Sequence, residues 1–191
     1  MLQKKDQLIT ERLVMKNLEE EDKVALLRMA TDERLKRTYM FPDFADQAQA
    51  EAFYKRLRSL CASDAYFIYG IYLQGRLIGM LNNCKIDGTS IELGYFISAE
   101  HWNRGYASEA LRAAIDELFR MGYETVTAGY FEENPASGRV MEKCGMRPLP
   151  EESVIDYRGV SHRCLYRGIR REEAAAKRAA GTPGSGGANP R

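Results

Sequence analysis

The spacing of apolar and polar positions changes period several times along the chain, and each change marks an element. Residues 9–16 predict a first strand. Residues 19–30 place Val24, Leu26, Leu27 and Ala30 at helical spacing behind an acidic first turn, which suits the positive end of a helix dipole. Asp46 is positioned to cap a second helix whose stripe is Ala50, Phe53, Leu57 and Leu60. An aromatic and β-branched run from Tyr66 to Leu73 reads as a strand, Gln74-Gly75 as a tight turn, and Arg76 to Ile86 as the next strand. Asp87-Gly88 is a hairpin signal, and Ser90 to Ser98 completes the meander. The period then returns to 3.6: Ala107, Leu111, Ala114, Ile115 and Leu118 share one helical face, and Gly122 ends the helix. Val126, Ala128 and Tyr130 alternate as a strand. Asn134-Pro135 supplies an N-cap and a first-turn proline for a short helix closed by Gly145, and two strands flank a turn at Arg158-Gly159. This order predicts a mixed α/β fold over residues 1–173. Residues 174–191, rich in Ala, Gly and Pro, bury too little apolar area to offset ordering entropy and are expected to form a disordered tail.

Composition narrows the function. Twenty-eight Lys and Arg against 27 Asp and Glu leave a net charge of +1, which argues against a broad nucleic-acid-binding face. The four cysteines form no CxxC pair and only two histidines are present, so neither a structural metal site nor a disulfide framework is expected. The polar start Met1-Leu2-Gln3-Lys4-Lys5-Asp6 and the lack of a long apolar run predict a cytoplasmic protein with no membrane association.

The junction between strand 90–98 and helix 107–121 is the most informative stretch. A strand running through a Gly-containing turn into a helix N-terminus converges unpaired N–H groups on one point, where the helix dipole adds positive character, so an anion such as a pyrophosphate fits. Gly105 and Ala107 leave room for phosphate oxygens, and Arg104 adds charge at the rim. Neither the P-loop signature nor the Gly-x-Gly-x-x-Gly fingerprint occurs, which disfavours an NTPase and a dinucleotide-binding unit. From these residues alone, a plain structural connection stays open beside the anion site.

Leu93-Gly94-Tyr95-Phe96-Ile97-Ser98, followed by Trp102-Asn103-Arg104-Gly105-Tyr106-Ala107-Ser108-Glu109-Ala110, resembles the acetyl-CoA-binding motif of the GNAT N-acetyltransferase superfamily. The likeness is greatest to the branch that acetylates ribosomal-protein N-termini. Thr10-Glu11-Arg12-Leu13, Asn134-Pro135-Ala136-Ser137 with Glu142-Lys143-Cys144-Gly145-Met146, and the Tyr157-Arg158-Gly159…Tyr166 hairpin resemble that branch in the same order. The resemblance implies an acyl-CoA N-acyltransferase fold: a central, mostly antiparallel twisted sheet, splayed near Ile97, with helices on both faces. It implies that backbone groups of Phe96, Ile97 and Ser98 pair with the pantetheine arm, and that N–H groups from Asn103 through Arg104, Gly105, Tyr106 and Ala107 to Ser108 hold the pyrophosphate. Asn134 would bond the pantetheine side, Ser137 would lie near the sulfur, and the Ile97 N–H would donate to the thioester carbonyl as it gains negative charge. Two departures stand out. Trp102 replaces a frequent Gln or Arg, as is usual in this branch. Met141 occupies the place of a tyrosine general acid and cannot donate a proton, which leaves Ser137 as the nearest replacement.

The implied reaction is acetyl transfer from acetyl-CoA to a primary amine by direct attack. The acceptor would be a protein N-terminus, a polyamine or another small amine, chosen by the loop at residues 34–45, and the protein would act as a monomer or homodimer. Deprotonating an α-amine at pH 7 costs only about 1.4 kcal/mol, against about 4.6 for a lysine, so a weak base suffices. Glu92 is the first candidate base, on the strand that delivers Ile97, and Glu133 the second. His101 reads as a rim residue of the cofactor loop and His162 as a possible cleft neighbour. No cysteine has both a partner histidine and a place in the slot, and Cys144 is the one nearest to it in sequence. The alternative reading is a catalytically silent acyl-CoA-binding regulatory module, supported by the missing tyrosine.

Overall fold

Eight strands make one sheet in the computed structural model, which describes residues 3–175. They are β1 (Gln7–Ile9), β2 (Leu13–Lys16), β3 (Ile68–Leu73), β4 (Arg76–Asp87), β5 (Ser90–Ile97), β6 (Thr125–Phe131), β7 (Arg147–Tyr157) and β8 (Val160–Arg170). Their order is β1-β2-β3-β4-β5-β6-β8-β7, and every neighbouring pair is antiparallel except β5–β6. The helices are α1 (Lys23–Ala30), α2 (Glu33–Lys36), α3 (Gln47–Ala62), α4 (Tyr106–Met121) and α5 (Pro135–Lys143). None of the described helices is long and apolar enough to cross a membrane.

Strand alternation divides the apolar residues into two cores. Met15, Tyr69, Leu81 and Leu93 face α4 and α5, whose Leu111, Ala114, Leu118 and Met141 complete one layer. Tyr72, Met80 and Phe96 face α1 and α3, which contribute Leu26, Met29 and Tyr54 to the other. The sheet is thus covered on both faces, as the resemblance implied. Caps and turns also fall where the sequence places them. The Asp46 carboxylate accepts from the Gln49 N–H at 2.8 Å, Asn134 caps α5 with Pro135 at its first position, and Gly122 closes α4 in the left-handed region.

Two local expectations need correction. Residues 9–16 are two strands, because a tight turn at residues 10–12 interrupts them: the Thr10 N–H donates to the Leu13 carbonyl at 2.9 Å. The short α2 has too few positions to show a period, and its visible signal is Asp32, whose side chain accepts from the Arg34 N–H. At the other end, residues 171–175 are helical and Ala174 is buried against the α4 face, so the packed chain runs past residue 173. The rest of the expected tail, 176–191, lies outside the described residues.

Candidate active site

The sheet opens between β5 and β6. Their parallel pairing runs from Ser90↔Thr125 to Leu93↔Ala128 and stops. Beyond it, residues 94–97 pair only with β4, and residues 129–131 only with β8. The resulting slot is part of a cavity of about 960 Å³, within the usual range for small-molecule sites.

Peptide orientation decides what the slot can bind. The Ser98 N–H donates to the Ile78 carbonyl at 2.7 Å, on the β4 side. Successive peptides of a strand point to opposite edges, so the Ile97 N–H and C=O face the slot. The Ile97 carbonyl is already taken: the Trp102 indole donates to it at 2.7 Å. The N–H remains as a donor. This corrects the expectation for the neighbours. The Phe96 peptide faces β4, and Phe96 reaches the cavity through its ring. Ser98 is buried, does not line the cavity, and holds the His101 Nδ1 through its hydroxyl at 2.6 Å.

The N-terminus of α4 forms the second wall. Gly105 is its N-cap at φ +82°, a conformation that L side chains rarely adopt, and it offers no side-chain cap. The first-turn N–H groups of Tyr106, Ala107 and Ser108 therefore remain available to an anion in the cavity these residues line. Asn103, also at positive φ (59°), lines it too, whereas Arg104 does not. The Arg104 carbonyl instead accepts from the Arg12 guanidinium at 3.0 Å.

Arg12 belongs to a brace that residue spacing did not reveal. The Glu109 carboxylate accepts from the Thr10 hydroxyl (2.6 Å), the Arg12 N–H (2.9 Å) and the Arg12 Nε (2.7 Å). The Arg12 guanidinium also lies 4.7 Å from the Tyr106 ring centre. Burial pushes the Glu109 carboxyl up, but these hydrogen bonds outweigh it and hold it below the usual range. The turn between β1 and β2 thus clamps the turn before α4 from behind.

The start of α5 forms the third wall. Asn134 Oδ1 accepts from the Ser137 N–H at 3.3 Å, and its amide nitrogen has no partner among the described residues. Ser137 Oγ lies 2.9 Å from the Tyr95 hydroxyl, which donates to the Ser137 carbonyl at 3.2 Å. Burial pushes the Tyr95 hydroxyl well above the ordinary tyrosine range, so it stays protonated. Met141 is fully buried in the α4 face. A tyrosine hydroxyl is thus present beside Ser137, but β5 supplies it rather than α5.

Glu92 approaches from the opposite face of the sheet. It pairs with Thr127 one step before the sheet opens, lines the cavity with Tyr95 and Ser137, and is half-buried. Burial raises its carboxyl above the usual range, with Lys85 opposing. Of the other candidates, Glu133 and His162 lie 3.4 Å apart, outside the cavity, with the His162 ring stacked on Phe131 at 4.4 Å. His101 lines the cavity wall. Burial pushes the Cys144 thiol up to about 11 and raises those of Cys61 and Cys164; Cys84 is exposed on β4, and partial desolvation with the nearby Glu92 carboxylate raises its thiol to about 11 too, so the thiolate nucleophile is disfavoured at all four.

A long ligand with a diphosphate and an amide-bearing arm fits these walls: an uncapped helix start for the phosphates, then a free strand edge and the Asn134 amide for the arm. Comparisons with known proteins point the same way. Residues 12–147 match the family described as the acetyltransferase (GNAT) domain. The uncharacterized N-acetyltransferase YoaA of Bacillus subtilis is 26% identical over 145 residues, covering 73% of this chain and 82% of that protein. A GNAT-family acetyltransferase structure from Bacillus anthracis superposes with a TM-score of 0.73 at 25% identity, over 87% of this chain and 99% of that one. A putative ribosomal-protein-serine acetyltransferase from Vibrio cholerae also gives 0.73, over 88% and 99% of the two chains; at 20% identity it shows the fold alone.

Proposed function

The chain belongs to the GNAT acetyltransferase family, and on that premise we propose that it transfers acetyl to a primary amine by direct attack. The acceptor is a protein N-terminus, a polyamine or another small amine. Acetyl-CoA supplies the acetyl group as an activated thioester. The first-turn N–H groups of α4 hold its phosphates, and the Asn134 amide holds its arm. Glu92 takes the proton of the incoming amine, directly or through a water. The Ile97 N–H donates to the thioester carbonyl as negative charge develops there. Ser137, hydrogen-bonded to Tyr95, assists the departing thiol from the other face.

The observation that carries this reading is the position of Glu92: a half-buried carboxylate with a raised pKa where the sheet begins to part. A group poised in that way suits a base working near neutral pH. The raised cysteine thiols favour direct attack over a covalent acetyl-enzyme, and four free cysteines fit a reducing, cytoplasmic setting. Replacing Glu92 by Gln is expected to lower kcat about 10²- to 10⁴-fold while acetyl-CoA binding persists. Undiminished turnover in that variant contradicts the assignment. The silent-module reading rests on Met141, and the protonated Tyr95 hydroxyl beside Ser137 weighs against it.

A further inference from the structure

A second cavity, of about 250 Å³, adjoins the first. Phe53, Leu57 and Leu60 of α3 line it together with Phe41 and Met80, while Tyr39, Met40, Asn82 and Phe96 line both cavities. The polar side chains at the partition between the two cavities bond to the protein itself. The Tyr39 hydroxyl donates to Asn82 Oδ1 at 2.6 Å, Asn82 Nδ2 donates to the Asn83 carbonyl at 3.2 Å, and Asn83 Oδ1 accepts from the Phe67 N–H at 2.8 Å. The rest of the lining, Phe41, Phe53, Leu57, Leu60, Met80 and Phe96 among it, is apolar, as the walls of small-molecule sites mostly are. Apolar matter is the occupant such walls favour.

Its place relative to the chemistry is set by register. Asn82 lies opposite Gly94 and Met80 opposite Phe96. At about 3.3 Å per residue, these positions are roughly 7 and 13 Å along β5 from Glu92. Glu92, Gly94 and Phe96 share one face, so an acceptor whose nitrogen meets Glu92 lies on the face that leads to this cavity.

Building on the amine-acceptor reading, we propose that this second cavity is the subsite for an apolar group of the acceptor. The preferred substrate is an amine carrying a ring or branched chain within roughly 10 Å of its nitrogen, rather than a polyamine or an amino sugar. Tyr39 and Asn82 form the partition that such a group packs against.

The test compares kcat/KM of the full chain with acetyl-CoA on 4-phenylbutylamine and phenylalaninamide against putrescine and glycinamide. The two aromatic amines are expected to exceed the other two by at least about tenfold, the discrimination an apolar pocket gives for a modest apolar group. Leu57→Trp, or Leu60→Phe if the first folds poorly, fills the cavity and is expected to bring the aromatic-to-glycinamide ratio towards one. Equal values for all four amines in the unaltered protein overturn the subsite, as does an aromatic preference that both filled variants retain. Turnover of none of the amines overturns the amine-acceptor reading itself, and the subsite with it.

Discussion

As the proposed base, Glu92 sits among neighbours that make proton transfer easier. Burial disfavours its charged form, so its folded-state pKa lies above the ordinary glutamate value and it is a stronger base than an exposed carboxylate. Only the deprotonated form accepts a proton, so kcat/KM is expected to fall as the pH drops through this raised pKa. A pH–rate profile checks it: the acid limb should lie above the ordinary glutamate range and disappear in Glu92→Gln. Across the slot, Tyr95 and Ser137 share one hydrogen-bonded unit. Tyr95→Phe and Ser137→Ala should therefore each slow turnover, and the double variant should cost less than the sum of the two, as coupled groups do. Ser137 could be picked out in the sequence because a family-like motif contains it, and Glu92 because it lies on the strand that carries Ile97. Tyr95 as a partner of Ser137, and Trp102 as the donor to the Ile97 carbonyl, were not. The first joins residues 42 apart, and the second depends on which way one peptide faces, which no residue spacing encodes.

The elements divide into those that hold the fold and those that brace the proposed anion site. Asp46 caps α3 away from the cavity, so Asp46→Ala should cost about 1 kcal/mol and lower the Tm by roughly 2–4 °C, with acetyl-CoA affinity unchanged. Glu109 accepts three hydrogen bonds from the turn between β1 and β2. Glu109→Ala removes these bonds at a cost of about 1 kcal/mol, since water reaches the freed Arg12 donors, and should weaken acetyl-CoA binding as well, because the turn before α4 loses its clamp. Calorimetric melts paired with binding titrations separate the two cases. The same contrast explains what periodicity could reveal. Asp46, Asn134 and Gly122 are local signals, read within one turn of the helix they bound. The break at residues 10–12 takes its shape partly from Glu109, about a hundred residues away, and so reads locally as continuous strand.

At the scale of the molecule, the function lies in an interrupted sheet. Five antiparallel strands on one side and three on the other are joined by four parallel residue pairs, and the slot begins where those pairs end. The fold class and the splay were legible through the family resemblance. The residue at which the opening begins, after Leu93, and the second cavity behind Tyr39 depend on side chains from distant elements. Acetyl-CoA at about 100 times its dissociation constant should add about 2.7 kcal/mol of stability, a Tm rise on the order of 5–10 °C. Removing residues 176–191 should leave that shift intact. The most direct measurement is release of the CoA thiol from acetyl-CoA with 4-phenylbutylamine, set against its N,N-dimethyl derivative. The account predicts release with the primary amine alone, matched one for one by N-acetylated product. A protein that acetyl-CoA stabilises but that releases no thiol with any primary amine would contradict it.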